Sequence, residues 1–388
     1  MTKSGIEPST RGQVDPFIVM DVMRAANARE AQGHKVIHME VGQPGTPAPQ
    51  LVRNAAAMAL ATDRLGYAEA LGLPQLRARI ATHYGDAYNV DIPADRVVVT
   101  CGSSGGFQLA FLAAFDAGAR IALAMPAYPA YRNILKALDL VAVPVRTDAA
   151  AGFQMTAEAL EKCARDQKLD GVLIASPANP TGAMIDPVEL AAIAVVARDH
   201  GLTLISDEIY HRLTYGTVAE TTALSAHDEA ITINSFSKYY SMTGWRIGWM
   251  VVPEVLVRPI ERLAQNLFIS VPTLSQIAAV HAFDATEELD ANAAVYRANR
   301  DLLMARLPQI GFPHFTPSDG AFYVYADISH LTEDSAAFCA RLLEQADVAA
   351  TPGIDFDPEG GRRAMRFSYA GTTADMAEAM DRLAALKL

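Results

Sequence analysis

Cysteine is scarce in this sequence, and the three cysteines present lack the spacing of a disulfide framework or a metal site. Cys101, Cys163 and Cys339 lie far apart, and no C-x-x-C pair occurs. An odd number of widely spaced cysteines predicts neither a disulfide framework nor a zinc site, and it indicates a reducing compartment. Cys101 borders a candidate site, but it is typical of a small core residue.

Long apolar runs are also absent. The first 12 residues are polar and contain no apolar stretch of the kind that a signal peptide requires. Asp116 and Arg120 interrupt the longest apolar candidate. No run therefore reaches the length of about 20 residues that a membrane-spanning helix needs. We expect a soluble, cytoplasmic protein.

Basic side chains are fewer than acidic ones. The chain has 32 lysines and arginines against 44 aspartates and glutamates, which gives a net charge of -12 with neutral histidines. This balance argues against general affinity for nucleic acid or for an anionic membrane, because both attract positive surfaces. It leaves a small anionic substrate open, because the positions of individual arginines decide that interaction.

The alternation of strand-like and helix-like segments indicates an α/β fold with two lobes. A chain of 388 residues with 51% hydrophobic content is longer than one core usually serves. The alternation between residues 96 and 234 predicts a mainly parallel sheet covered by helices, and a second alternation between 320 and 370 predicts a smaller α/β lobe. The predicted strands are 35–40, 96–100, 120–125, 170–176, 202–206, 230–234, 320–326 and 364–370, and the predicted helices are 15–32, 107–115, 187–200, 294–307 and 335–345, with further helical spacing over 259–285.

Polar side chains follow the ends of several predicted strands. Asn179, Asp207, Tyr210, Ser235 and Lys238 all lie at or just past such ends. Ligands of parallel sheets bind at the carboxyl ends of the strands. The positions of these residues therefore support a shared site before any role is assigned to them.

One lysine stands between hydroxyl groups and aromatic rings in the segment S-F-S-K-Y-Y-S-M-T-G-W-R-I-G-W. Burial would lower the pKa of Lys238 and make it a nucleophile that can form a Schiff base with a carbonyl cofactor. Arg246 could hold a phosphate dianion, and Ser235 and Ser237 add hydroxyl donors. S-x-S-K by itself would be explained by a solvated lysine at an ordinary strand end. The other motifs of the chain therefore decide between a Schiff-base lysine and a solvated one.

A turn of small residues, C-G-S-S-G-G, follows the predicted strand 96–100. Backbone N–H groups and a helix dipole make a turn of this kind, between a strand and a helix, an anion site. The turn does not match G-x-G-x-x-G, and no P-loop lysine follows it. As a lone motif it is weak evidence, because many such turns bind nothing.

Taken together, these motifs resemble those of the class I and II aminotransferases, the fold type I enzymes that use pyridoxal phosphate. The resemblance spans residues from about 16 to 370, and the motifs follow the family's order. The matching segments are V-G-Q-P-G at Gly42, the Y…G…LR segment at Tyr67, G-S-S at Gly102, Ser103 and Ser104, the aromatic Tyr128, N-P-T-G at Asn179, D-E-I-Y at Asp207 and Tyr210, S-x-S-K at Lys238, the distal Arg246, and R-F-S-Y at Arg366.

The resemblance implies a role for each cofactor residue. Lys238 would hold pyridoxal 5′-phosphate as a Schiff base and move the substrate's proton, and Asp207 would pair with the pyridine nitrogen. Tyr210 and Asn179 would donate hydrogen bonds to the phenolate oxygen, and Tyr128 would stack on the ring. The phosphate would contact Gly102, Ser103, Ser104, Ser235, Ser237 and Arg246, with Tyr67 reaching it from the other subunit of a homodimer.

The substrate side of the site is predicted from two further residues. Arg366 would bind the α-carboxylate in a bidentate pair, beside Asn179 and near Gly42. The segment 268–273 and the glycines after the phosphate turn contain no basic residue. Branches of the aspartate aminotransferases place the cation for a second carboxylate there. We therefore expect a donor with a neutral side chain, such as alanine or an aromatic amino acid, unless Arg24 or Arg297 reaches the pocket.

The resemblance implies a three-layer α/β/α fold with a mainly parallel sheet and a second, smaller α/β domain. The large cofactor-binding domain is predicted over residues 47–285, and the small domain combines 1–46 with 286–388. The implied reaction transfers an amino group from an L-amino acid to a 2-oxo acid. A homodimer with shared active sites is the implied assembly.

Three other functions share parts of this pattern. Another fold type I enzyme, a C–S lyase or a cyclising synthase, would share the cofactor motifs, and only the fate of the carbanion would separate it. A ligand-sensing regulator on this fold would need an N-terminal winged-helix domain, for which residues 1–15 leave no room, and the acidic balance opposes DNA binding. A nicotinamide-dependent dehydrogenase lacks its dinucleotide fingerprint here.

Overall fold

The computed structural model describes residues 7–386, and its centre is a seven-stranded sheet. The strand order is β2-β8-β7-β6-β5-β3-β4, in which only β8 runs antiparallel to its neighbours. This mainly parallel sheet confirms the predicted fold class. Its strands are β2 Val97–Thr100, β3 Arg120–Met125, β4 Val141–Arg146, β5 Gly171–Ala175, β6 Thr203–Asp207, β7 Ile231–Ser235 and β8 Gly248–Val251.

Helices cover both faces of this sheet because alternate strand residues enter two different hydrophobic cores. Val97 and Val99 of β2 pack in one core, and Val98 packs in the other. The run of buried β-branched residues is typical of a strand covered on both faces. The helices up to residue 280 are α1 Ile18–Glu30, α2 Gln50–Thr62, α3 Pro74–Tyr88, α4 Gly102–Ala114, α5 Pro129–Ala137, α6 Ala157–Asp166, α7 Pro187–Asp199, α8 Glu254–Leu267 and α9 Thr273–Val280.

Two small sheets lie outside the central one. The first is antiparallel, in the order β11-β12-β9, and the second pairs β1 with β10 in parallel. The strands are β1 Ile37–His38, β9 Tyr323–Asp327, β10 Val348–Ala349, β11 Thr351–Pro352 and β12 Ala364–Ser368, and the remaining helices are α10 Thr286–Arg306, α11 Ser335–Ala346 and α12 Thr373–Ala385.

Several elements differ from the expectations, among them an edge strand, a divided helical region and a helix start. β4 is an edge strand with alternating exposure and an internal Pro144, and a proline inside a short run hides a strand from pattern reading. The helical spacing predicted over 259–285 is two helices, α8 and α9, with a break between them. Helix α4 begins at Gly102, so the small-residue turn forms its first turns rather than a loop before it.

The central sheet lies within residues 97–251, and the small sheets use residues 37–38 and 323–368. The division into 47–285 and 1–46 with 286–388 stays a prediction, and residues 1–6 and 387–388 of it lie outside the described residues. Within residues 7–386, no helix combines the length and the apolar character that crossing a bilayer requires.

Candidate active site

The carboxyl ends of the central strands border a cavity of about 200 Å³. This edge is where parallel α/β sheets bind their ligands. The cavity therefore lies where the strand-end residues are predicted to meet. Its lining residues are Phe17, Val19, Met20, Val41, Gly42, Ser103, Ser104, Tyr128, Tyr131, Asn179, Asp207, Ile209, Tyr210, Ser237, Lys238, Thr243, Arg246, Tyr323 and Arg366.

Three of the predicted site residues do not line this cavity. Gly102 stands at the start of α4, one residue before Ser103. Ser235 is buried and donates its hydroxyl to Ser237 Oγ at 2.9 Å, so it supports a lining residue from behind. Tyr67 is 84% exposed and lies between α2 and α3, away from the cavity of its own chain.

Lys238 reaches the cavity from the turn after β7. Its Nζ donates a hydrogen bond to the Gly42 carbonyl oxygen at 2.5 Å and lies 5.6 Å from the centre of the Tyr210 ring. Burial, with the positive charge of Arg366, lowers the pKa of Lys238 to about 8, and the negative charge of Asp207 opposes this shift. A larger share of this amine is therefore neutral near pH 7 than in a solvated lysine, which makes it the better nucleophile.

Asp207 ends β6 with its carboxylate fully inside the protein. Burial raises the pKa of Asp207 to about 6, although hydrogen bonds from the Tyr131 hydroxyl and from the Ile209 N–H, at 3.0 Å to Oδ1, oppose the rise. A cationic partner stabilises a buried carboxylate strongly, because its charge adds to these hydrogen bonds in offsetting the lost hydration. The site is thus suited to a protonated ring nitrogen facing Asp207.

The end of the cavity at which a phosphate is predicted to bind combines a helix N-terminus with a cation. Ser103 and Ser104 lie in the first turn of α4, where the dipole is positive and N–H groups lack helical acceptors. A Cβ added to Gly102, which has a φ of +67°, would lie 2.6 Å from Arg246 Nη2. The glycine therefore permits the guanidinium to approach the helix terminus. Ser237 adds a hydroxyl at the same cavity.

Arg366 is a buried cation whose hydrogen bonds within the described residues go to neutral acceptors. Nη1 donates to Asn179 Oδ1 at 2.8 Å, and Nη2 donates to the Glu40 carbonyl and to the hydroxyl of Thr351. Nε is buried without a hydrogen-bond partner among the described residues. The ring of Tyr323 lies 4.3 Å from Cζ and holds the guanidinium plane by a cation–π contact. The arrangement suits a carboxylate ligand.

The side chain of Tyr323 leaves no room for a residue larger than glycine at position 42. A Cβ at this position would lie 1.6 Å from the hydroxyl oxygen of Tyr323, so any larger residue must displace that ring. The Tyr323 hydroxyl is 2.7 Å from the Tyr210 hydroxyl. The glycine thus permits a packed contact between the lysine-binding backbone and two tyrosines of the cavity.

Sequence reasoning missed several lining residues. Tyr131 lies three residues after Tyr128, nearly one helical turn, which was the available signal for a shared face. Phe17, Val19 and Met20 were assigned helical spacing, but α1 buries only Val19 and Ala26. The apolar side of this segment faces the cavity, and periodicity alone does not distinguish a cavity from a core.

The two remaining arginine candidates do not reach the cavity. Arg24 is 78% exposed in its side chain and pairs with Asp21 at 3.0 Å. Arg297 donates to the carbonyl oxygens of Tyr215 at 2.9 Å and Thr214 at 3.1 Å. Among the described residues, the basic side chains that line the cavity are those of Lys238, Arg246 and Arg366.

Comparison with known proteins places the chain among amino-group transferases. The family model described as aminotransferase class I and II matches residues 34–383. The chain is 50% identical to the valine–pyruvate aminotransferase of Mycobacterium tuberculosis, across 96% of each chain. It is 35% identical to the (5-formylfuran-3-yl)methyl phosphate transaminase of Methanocaldococcus jannaschii, across 95% of this chain and 96% of that protein.

Solved structures show the same similarity in three dimensions. The crystal structure of an aminotransferase from Mycobacterium tuberculosis superimposes with a TM-score of 0.96 and 49% identity, covering 98% of this chain and 99% of the other. The aspartate aminotransferase from Thermus thermophilus with maleate gives a TM-score of 0.92 and 28% identity, covering 98% of this chain and 100% of the other.

Proposed function

The chain belongs to the class I and II aminotransferases, and we propose that it binds pyridoxal 5′-phosphate at Lys238 and takes its amino group from a neutral amino acid. It is an aminotransferase, an enzyme that moves an amino group between an amino acid and a 2-oxo acid, and its family uses pyridoxal phosphate in general. The observation that carries the proposal is the meeting of Lys238, Asp207, Arg246 and Arg366 in one cavity.

The donor set of the cavity fits pyridoxal phosphate at each functional group. Arg246, Ser237 and the N-terminus of α4 suit the phosphate, and the buried Asp207 suits the pyridine nitrogen. Tyr128 offers an aromatic face, and Lys238 offers the amine that binds the aldehyde. When bound, this cofactor withdraws electrons into its protonated ring and so stabilises negative charge at the substrate's α-carbon.

The residues around the cofactor site have separate tasks. Lys238 Nζ moves the proton at the substrate's α-carbon, because its pKa of about 8 lies near working pH. Asp207 keeps the proton on the ring nitrogen. Tyr210, whose pKa burial raises well above its usual value, stays a neutral hydroxyl donor. Asn179 and Arg366, joined by their 2.8 Å hydrogen bond, orient the α-carboxylate.

The charge inventory of the cavity supports a neutral donor. Each basic group that lines it already has a task at the lysine, phosphate or α-carboxylate position, as argued for Lys238, Arg246 and Arg366. The wall formed by Phe17, Val19, Met20 and Ile209 is apolar. A second carboxylate buried against that wall would lack a partner, which costs several kcal/mol. The relative named valine–pyruvate aminotransferase supports the same substrate class.

Steady-state comparison of amino donors tests this specificity. With pyruvate as the common acceptor, we expect kcat/KM for valine and for alanine to exceed that for aspartate by about a hundredfold or more, because the unpaired carboxylate weakens transition-state binding. Arg24→Ala and Arg297→Ala serve as controls and should keep the wild-type preference. A kcat/KM for aspartate above those of both neutral donors would contradict the proposal. In that case, loss of the aspartate preference in Arg24→Ala or Arg297→Ala would identify the arginine that binds the second carboxylate.

A homodimer with shared sites accounts for the exposed surface beside the phosphate end. Arg246 and Thr243 line both the cavity and an open groove of about 640 Å³. Tyr67 is 84% exposed, and the apolar side chains of Met58 and Leu60, on the preceding helix α2, are each 63% exposed. Contact with a second copy would remove these apolar side chains from water. A second copy would cover this surface and bring its Tyr67 to the phosphate, as the family resemblance implies.

Mixed dimers test this arrangement. Tyr67→Phe chains mixed with Lys238→Ala chains should form hybrids in which one site has both native groups and the other has neither, because a C2 interface exchanges the same residues between sites. We expect activity above the sum of the two parents. Wild-type chains mixed with Lys238→Ala chains provide the control for exchange. Activity equal to the parental sum would place Tyr67 outside the partner's site.

A further inference from the structure

The first turn of α1 supplies part of the apolar wall but has no cap from its own sequence. The residue at its start is Phe17, whose side chain offers no acceptor, and no side-chain cap bond forms there. The first N–H groups of a helix need acceptors from elsewhere. Val19 and Met20 of this turn line the cavity, and the ring of Phe17 lies 5.6 Å from that of Tyr128.

Asp355, far away in the sequence, provides the missing acceptors. Its Oδ1 accepts the N–H of Ile18 at 3.1 Å, and its Oδ2 accepts the N–H of Val19 at 3.1 Å. The residue is completely buried. A carboxylate at a helix N-terminus satisfies two free donors and interacts favourably with the helix dipole.

The same short segment is fixed to the other walls of the cavity. The Asp355 carbonyl accepts a hydrogen bond from Arg132 Nη2 at 2.6 Å, and Arg132 follows the lining residue Tyr131 on α5. The next residue, Phe356, accepts the N–H of Ala127 at 3.2 Å, and its ring lies 4.7 Å from Cζ of Arg366. Residues 355 and 356 therefore connect the apolar wall, the tyrosine wall and the α-carboxylate site.

We propose that Asp355 is a positioning residue for donor selectivity, which holds the first turn of α1 at the distance that a branched apolar side chain fills. This inference rests on the proposed neutral donor. A branched donor such as valine reaches the wall formed by Val19 and Met20, whereas the methyl group of alanine depends on it less. Loosening the cap should therefore penalise valine more than alanine.

Asp355→Asn tests the proposal with little change in volume. The amide can accept through one oxygen only, and its NH₂ group opposes a backbone N–H, so at least one cap bond is lost. We expect kcat/KM for valine to fall about tenfold, mainly through KM, while that for alanine falls about twofold or less. Asp357→Asn is the matched control, because Asp357 is a buried carboxylate of the same segment that accepts hydrogen bonds from the Arg146 guanidinium and the Glu359 backbone N–H instead of α1.

Two further measurements separate positioning from misfolding. The absorbance of bound pyridoxal phosphate should be unchanged in Asp355→Asn, because Asp355 does not line the cavity. Hydrogen exchange of the Ile18 and Val19 amides should become faster in this variant and stay at the wild-type rate in Asp357→Asn. Arg132→Lys, which weakens the anchor of Asp355, should change the valine-to-alanine ratio in the same direction by a smaller factor.

The outcomes distinguish this inference from the proposed function. If the neutral-donor proposal fails, the wild-type enzyme itself prefers aspartate to valine and alanine. The positioning inference is overturned if Asp355→Asn keeps the wild-type ratio of valine to alanine kcat/KM. It is also overturned if Asp357→Asn changes that ratio equally, or if the Ile18 and Val19 amides keep their wild-type exchange rates in Asp355→Asn.

Discussion

Replacing Lys238 by alanine is expected to lower kcat for transamination by about a thousandfold or more, because one amine serves as both the cofactor attachment and the proton-transfer group. The side chain of Lys238 is partly buried, and desolvation lowers its pKa to about 8. The side chain lines the cavity, and its Nζ donates a hydrogen bond to the Gly42 carbonyl oxygen. The variant should keep weak cofactor binding, since the phosphate contacts of Arg246 and the N-terminus of α4 remain.

Mass spectrometry after borohydride reduction provides the direct measurement. The wild-type protein should carry a reduced pyridoxyl label on the peptide that contains Lys238, and Lys238→Ala should carry none. Lys168→Ala is the matched control, because the side chain of Lys168 is 79% exposed and pairs with Asp170 far from the cavity lining. That control should keep both label and activity. A label on another lysine, or near-normal turnover without Lys238, would refute the assignment.

Asp207→Asn is expected to fold normally and to lose about a hundredfold or more in kcat, because an amide cannot hold a proton on the ring nitrogen by charge. The carboxylate is buried at the end of β6, where burial raises its pKa to about 6, and a cationic partner would lower that pKa and stabilise the ionised form further. Loss of the acidic group leaves a neutral ring that stabilises negative charge poorly.

Tyr131→Phe separates the charge of Asp207 from its orientation. This variant removes the hydroxyl that donates to Asp207 Oδ2 but leaves the carboxylate in place. We expect a loss of about tenfold or less in kcat, smaller than that of Asp207→Asn. Circular dichroism and cofactor absorbance check that both variants fold and load. Near-normal kcat in correctly folded Asp207→Asn would contradict the role proposed for the carboxylate.

The strands and the order of the motifs could be predicted from the sequence, because both depend on local chemistry. Buried parallel strands are continuous apolar, β-branched runs, and β3 was predicted over the residues it occupies, 120–125. The polar residues at strand ends follow from the same runs, since a strand stops where its apolar pattern stops. The positions of Asp207, Lys238 and Asn179 near strand ends are therefore predictable from the sequence.

Contacts between residues far apart in the chain could not be predicted from local sequence patterns. Tyr131 donates to Asp207 across 76 positions, and Asp355 caps α1 across more than 330 positions. Neither pair leaves a periodic signal, because periodicity records which side of an element is apolar and not what covers it. The contact of Ser235 with the cofactor phosphate stays a prediction. In the structure, the Ser235 hydroxyl donates a hydrogen bond to Ser237 Oγ.

The sequence by itself determined the strand ends, the lysine in its hydroxyl setting and the family to which these motifs point, because each is written in neighbouring residues. Only the tertiary structure decided that Phe17, Val19 and Met20 face the cavity, and that Arg24 and Arg297 do not. The physical reason is that a cavity forms between elements brought together by packing of the whole chain. Its lining and its charge balance therefore depend on contacts that no local window contains.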